Sequence, residues 1–378
     1  MSVRRFSFFL YMLCPFIIQV GTKNVTCPAS CECDTFFGKK EVGCANLTDV
    51  PSNIPEDTNL LDLSGCNISH IHIQPLEKLF KLQIFTFQEI NTNDENYNLT
   101  ALDLPLLNEI VVDGGVSTSI PQLLPSYIGT LSVAYNNLGT LKSGSFKNYP
   151  NLETLLLWDC MLMKLEAGVL DNIPSLSTLE FNRNNLKDDS FPLGVFKKNQ
   201  ALDSVSFFAN ELKHVVSNLP SSVTSVDYSA NTIFELRAYD FKSTPNLIYL
   251  YLQQNMINQL KDFTFAGLTS PLELNLSYNW ITAIAKDAFK SLQSSKIDLS
   301  FNKLQSLQAE VFSHLTSSAN VNLGGNLWNC DCHLRWLREA LDNATYTIEL
   351  PYTLKCATPV KLAGKSFIDL KPSDFVCM

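Results

Sequence analysis

Asn246 to Leu260 reads NLIYLYLQQNMINQL. Counted from Leu247, this stretch places Leu247, Leu250, Leu252, Asn255, Ile257 and Leu260 at positions 1, 4, 6, 9, 11 and 14. Leu250 and Leu252 alternate on a short strand, so both turn to one face. Asn255 sits among apolar neighbours where the chain leaves that strand. Its amide can satisfy backbone groups of the bend and of the adjacent coil. The unit is about 24 residues long and recurs about twelve times. One copy is too short to bury its own leucines, whereas stacked copies bury one another's.

Outward from this stretch the register is regular from Ile128 on. The ninth positions fall at Asn136, Cys160, Asn184, Asn210, Asn231, Asn255, Asn279, Asn302 and Asn326. The strand pairs run from Leu131/Val133 and Leu155/Leu157 to Ile297/Leu299 and Val321/Leu323. A second period keeps the same phase: Phe146, Leu170, Phe241, Phe265, Phe289 and Phe312 each lie ten residues after a ninth position, and Phe196 lies twelve after. Upstream, Leu61, Leu63, Cys66 and Ile68 write one copy, behind a lead-in kept extended by Pro51 and Pro55. Two poorer copies centre on Phe85–Phe87 and Ile110–Val112, with ninth positions at Ile90 and Gly115. The polar text NTNDENYN (91–98) reads as a loop. Parallel strands about 4.8 Å apart give roughly 55 Å of sheet, bent toward its strands because the outer segments take more room.

The ends differ from the middle. Arg4 and Arg5 precede an apolar run from Phe6 to Val20, broken by Pro15, which reads as a secretory signal cut near Gly21 or Thr22. A signal anchor is the rival reading. No later run reaches the roughly 18 apolar residues of a membrane helix, so the expectation is a soluble exported chain or a shortened ectodomain. Net charge is −9, and removing Arg4 and Arg5 with no acid lost before residue 22 makes it −11. An acidic exported chain without a basic stripe argues against nucleic acid and polyanions, and leans toward a basic partner. Cys14 lies in the signal. Cys27, Cys31, Cys33 and Cys44 precede the repeats, and Cys330, Cys332, Cys356 and Cys377 follow them. Two even sets downstream of a signal read as two disulfide frameworks. Cys66 and Cys160 occupy ninth positions, where a buried thiol can stand in for asparagine as a weak donor.

These motifs together resemble the extracellular leucine-rich repeat proteins with cysteine-rich caps, such as Slit, Toll-type ectodomains, Nogo-type receptors and lamprey variable lymphocyte receptors. CPASCECD with Cys44 gives C-x3-C-x-C-x10-C, similar to the N-terminal cap. NLWNCDCHLRWLREAL (326–341), Cys356 and the DFVC of Asp374 to Cys377 are similar to the C-terminal cap. The resemblance implies Cys27–Cys33, Cys31–Cys44, Cys330–Cys356 and Cys332–Cys377 as the pairings; from the sequence alone, the first four cysteines allow three. The implied fold is an α/β repeat: a leucine-rich repeat solenoid with a curved parallel inner sheet and caps at both ends. The expected organisation is a signal over 1–21, a cap over 22–57, repeats over 58–325 and a cap over 326–378. In the last, His333 to Leu341 can form a short helix with Leu334, Trp336, Leu337 and Leu341 turned inward. One residue follows Cys377, so no appended stalk or further domain is expected.

The chain carries no catalytic signature such as G-x-S-x-G or H-E-x-x-H. His70 and His72 could share a strand face, but surface polarity explains them better than a metal. No enzyme activity, metal or cofactor is expected. Recognition is better supported. Positions 3, 5, 7 and 8 should point out of the inner wall, and there stand Tyr135, Trp158, Asp159, Glu180, Arg183, Phe208, Asp227, Tyr249 and Tyr251. Aromatic clusters on a solvent-facing sheet usually mean a partner, although such residues can also merely cover the sheet. Tyr278 and Phe301 continue the row. Sequons at Asn24, Asn46, Asn67, Asn98, Asn275 and Asn343 mark glycosylation sites. Asn275 is at position 5, so a glycan there would confine contact to the part of the inner wall that precedes it. The expectation is a secreted extracellular binding protein, monomeric or a homodimer, that takes a protein, microbial or matrix ligand on its concave face. A matrix or scaffolding protein, or a non-catalytic accessory subunit, is the alternative.

Overall fold

The computed structural model describes residues 27–68, 71–89, 98–115, 117–268, 272–292 and 295–377. The signal reading over 1–21 (with Cys14), the Asn24 sequon, His70, the ninth position at Ile90 and most of the 91–98 loop lie outside these residues. One sheet of fifteen strands runs the length of the molecule. Twelve of its strands, from Thr58–Gly65 to Asn320–Asn322, are the repeat strands, and each pairs in parallel with the next. The two poorer copies keep register, with Phe85 opposite Ile110 and Phe87 opposite Val112. The fold is thus the leucine-rich repeat solenoid that the periodicity predicts.

The strand pairs are buried through the whole series, Leu155, Leu157, Leu250 and Leu252 completely. Each such side chain contributes about 1.5–3 kcal/mol when removed from water. The second period also has a physical counterpart. Phe241, Phe265, Phe289 and Phe312 form one stack, with ring centroids 5.9, 5.7 and 6.1 Å apart and planes within 14°. Phe196 is buried off this stack, beside Phe191, which the period did not single out.

The asparagines close each bend. Asn279 Oδ1 accepts from Ile257 N at 3.1 Å, while Nδ2 donates to the carbonyls of Leu252, Leu276 and Ser277. Asn184, Asn210, Asn231, Asn255, Asn302 and Asn326 repeat this scheme. Each amide therefore ties its own turn to the coil before it. Cys160 fills the same slot, its Sγ donating to Val133 O at 3.1 Å and to Trp158 O at 3.2 Å. Burial pushes its thiol up to about 12, so it stays protonated at neutral pH. Cys66 is buried likewise and donates to Cys44 O.

From Asn136 on, the residue just before each ninth position adopts a left-handed backbone. Tyr135, Asp159, Arg183, Ala209, Ala230, Gln254, Tyr278 and Phe301 have φ between 49° and 58°, and Gly325 has φ 69°. The side chain of the ninth residue, an amide or the Cys160 thiol, holds this bend whatever side chain precedes it. Only at Gly325 is glycine required by space as well, because a Cβ there would lie 2.7 Å from the Phe301 ring.

Both sheet ends are closed. Cys31–Phe36 pairs antiparallel with Lys39–Ala45, which pairs in parallel with the first repeat strand. Disulfides join Cys27 to Cys33 and Cys31 to Cys44 here, and Cys330 to Cys356 and Cys332 to Cys377 at the other end. The C-terminal helix spans Arg335–Asn343, starting two residues later than the sequence pattern suggests because Cys332–Leu334 forms a 3₁₀ turn capped by Asp331. Leu334 and Leu337 are buried, whereas Trp336 and Leu341 pack only partly against the core. A cap strand that periodicity did not reveal, Thr347–Glu349, continues the sheet beside Asn320–Asn322.

Candidate concave binding face

On each strand positions 4 and 6 turn into the core, so positions 3 and 5 lie on the inner wall, where all but a few small or covered ones such as Val111, Ser132 and Ser225 reach solvent. The bend adds position 8, where Tyr135, Tyr278 and Phe301 are each about half exposed. Position 7 is different from the expectation. Asn182, Ser229, Ser277 and Ser300 are buried there, because the chain is already turning inward toward the asparagine. Trp158 and Phe208, at the same position, are consequently half-buried rather than displayed in full.

The named residues fall into two groups. In the first, Trp158 Nε1 donates to Glu180 Oε2 at 2.9 Å, and Asn182 Nδ2 donates to the same oxygen at 2.9 Å. Next to them Arg183 Nε donates to Asp159 Oδ2 at 2.6 Å. Tyr135 stands on the preceding bend, its backbone N bonded to Trp158 O. In the second group Tyr249 and Tyr251 stack at 6.4 Å with planes 17° apart, and Asp227 is the strand neighbour of Tyr251. Between the groups lies a floor of small residues, Ser204, Ser206 and Ser225, with Phe208 at its edge. Phe208 N and Ser206 Oγ both donate to Asn182 Oδ1, which locks the floor to the first group.

A short motif holds several position-5 side chains. Asp62, Asp227, Asn275 and Asp298 each use Oδ1 to accept from the backbone N of the residue two further on, Ser64, Ser229, Ser277 and Ser300, at 2.8 to 3.0 Å. The signal is legible as the tripeptides DLS, DYS, NLS and DLS, but sequence reasoning read Asp227 only as a contact residue and Asn275 only as a sequon, not as one bracing motif. Farther upstream, burial together with the Asp62 carboxylate raises the Asp113 carboxyl above its ordinary range. Sequence reasoning also passed over Trp280, half exposed on the flank of the bend with Lys303 Nζ 4.5 Å from its ring centre, beside the Tyr278–Phe301 stack (4.5 Å).

Among the described residues the histidines do not gather into a site. His72, His214, His314 and His333 each lie against one aspartate, Asp49, Asp188, Asp287 and Asp331. Among the described residues, the group of three closest to metal-binding geometry is Cys332, His333 and Cys377, and its two sulfurs are joined to each other. Among those residues too, no helix is long and apolar enough to cross a membrane. Asn46, Asn67 and Asn343 are exposed, and Asn98 and Asn275 partly so.

Comparison with known proteins agrees with this architecture. The leucine rich repeat family model matches residues 221–279 and 272–327. Podocan of Mus musculus is 25% identical over 311 residues, which cover 82% of this chain and 46% of Podocan. Toll-like receptor 8 of Homo sapiens is 28% identical over 69% of this chain and 26% of its own. Trophoblast glycoprotein of Macaca fascicularis is 26% identical over 69% of this chain and 62% of its own. The chain thus spans less than two thirds of each of these relatives. Among solved structures, a chain of the octameric complex of Latrophilin 3, Unc5D and FLRT2 (LRR) is similar over 91% of this chain and 98% of its own, with a TM-score of 0.53 and 20% identity. That likeness is one of fold.

Proposed function

Because this chain is a leucine-rich repeat protein with disulfide-bonded caps, we propose that it is an exported, non-enzymatic binding protein whose concave face recognises an extracellular protein ligand. Its relatives point to protein binding or scaffolding rather than to catalysis. Export is supported by the leader-like text of residues 1–21 and by four disulfides, which persist in oxidising compartments. The observation that carries the choice of face is the double aromatic group, Trp158 on Glu180 and Tyr249 on Tyr251, with the serines Ser204, Ser206 and Ser225 between them. Large rings already held by their neighbours lose little freedom on binding and dominate contact energies.

Screening the exported protein against a library of extracellular proteins tests this reading. The Trp158→Ala/Tyr251→Ala variant should lose at least about tenfold in affinity for whatever partner the wild type retains, since each such anchor is worth roughly 1–2 kcal/mol or more. Binding unchanged in that variant would discard the concave face.

Asn275 sets one boundary. Its Oδ1 is held by Ser277 N and Oγ, at 3.0 and 2.7 Å, and a glycan leaves that oxygen in place. Asn275 is also the strand neighbour of Tyr251. We expect peptide mass spectrometry of the exported protein to find a glycan on Asn275, restricting contact to the wall between Tyr135 and Tyr251. Unmodified Asn275 would lift that restriction.

A further inference from the structure

From the concave face just proposed as the binding surface, we infer that its partner presents a basic, extended peptide segment, with lysine or arginine side chains set against the two aromatic groups. The inference rests on that proposed reading and adds the chemistry of the ligand. Between Trp158 and Tyr251 the outward positions carry three carboxylates, those of Asp159, Glu180 and Asp227, against one cation, Arg183. That cation is already committed within this wall, to Asp159 at 2.6 Å. The surplus of this stretch is therefore negative, and a cationic partner is electrostatically matched to it.

Geometry sharpens the match beyond net charge. Each aromatic group has a carboxylate beside it: Glu180 bonded to the Trp158 indole, and Asp227 on the strand next to Tyr251. A ring face paired with an acid is what an ammonium or guanidinium group meets favourably, through the ring quadrupole on one side and the carboxylate on the other. Both acids are pre-set, Glu180 by Trp158 and Asn182, and Asp227 by Ser229, so little ordering is left to be done on binding. The strands of Trp158 and Tyr249 are four steps apart in the sheet, which is about 19 Å at about 4.8 Å per step. An extended segment rises about 3.3 Å per residue, so roughly six residues bridge the two groups. The floor between them offers serine hydroxyls and no bulky side chain apart from Phe208 at its edge.

An array of random-sequence 15-residue synthetic peptides, probed with the full exported chain, tests this. The expected result is retention confined to net-positive peptides, falling at least tenfold between 50 and 300 mM salt, roughly as several screened charge pairs require. The Glu180→Gln variant removes one charge but keeps side-chain shape and an amide oxygen, and should lower retention about threefold or more. Asp227 is left unchanged, since asparagine there would write a new sequon with Ser229. Glu310→Lys, on the 3₁₀ turn outside the sheet, should change nothing. Retention of neutral or acidic peptides, insensitivity to salt, or no retention of basic ones overturns the inference. If such retention is nevertheless lost in Trp158→Ala/Tyr251→Ala, the concave-face reading survives and only the basic segment falls. If neither variant matters, both fall.

Discussion

Asn279→Ala is expected to lower the unfolding free energy by about 3–5 kcal/mol, a large effect for a single polar substitution. The side chain makes four hydrogen bonds in a site that is almost fully buried. Alanine leaves the Ile257 N–H with no acceptor, and an orphaned buried donor costs about 1–3 kcal/mol by itself. It also frees three carbonyls, on Leu252, Leu276 and Ser277, from their shared donor. Two of these carbonyls belong to the Asn279 turn and one to the preceding coil, so the loss falls on the joint between repeats. Urea denaturation followed by fluorescence of the four tryptophans measures it. Asn279→Cys provides an internal scale. Cys160 shows that a thiol can supply the donor half of this slot, so cysteine should recover part of the loss. A destabilisation by alanine of less than about 1 kcal/mol would contradict the assigned role of the amide.

Phe265→Ala should cost a comparable amount, about 3–5 kcal/mol, for a different reason. Phe265 is completely buried and lies in the middle of the ring stack, 5.9 Å from Phe241 and 5.7 Å from Phe289. Removing it opens a void bounded by two rings that the backbone holds a full repeat apart, so neither can collapse into it. Phe265→Leu fills most of that void and should cost less than half as much. Because the stack crosses four repeats, the alanine variant should also lower the cooperativity of unfolding, read as a smaller denaturant slope. Equal destabilisation by leucine and alanine would contradict the void as the source of the loss.

Most of the fold was legible because burial imposes a period on the side chains. Leu250 and Leu252, Asn255 and Phe265 must each recur at fixed offsets, and they do. Other features leave no such trace. The left-handed residues carry tyrosine, aspartate, arginine, alanine, glutamine and phenylalanine in turn, so no composition marks the column. The cap strand Thr347–Glu349 is set by a neighbour, Asn320–Asn322, rather than by its own three residues. The candidate face was legible at positions 3 and 5, where alternation on a strand decides which way Tyr249 and Tyr251 point. It was misread at position 7, because alternation ends there and Asn182, Ser229 and Ser300 turn inward. That is also why Trp158 is propped against Glu180 and half covered.

The left-handed column has a consequence for how such a surface can diversify. Its conformation is held by the side chain that follows, an asparagine amide or the Cys160 thiol, so the residue standing there is not what sets the bend. Two classes of residue are disfavoured: branching at Cβ crowds a left-handed backbone most, and proline fixes φ near −65° and lacks the N–H; the column from Tyr135 to Gly325 contains no valine, isoleucine, threonine or proline. Up to Phe301 this rail is thus open to most other side chains, and new specificities can be written along it one coil at a time.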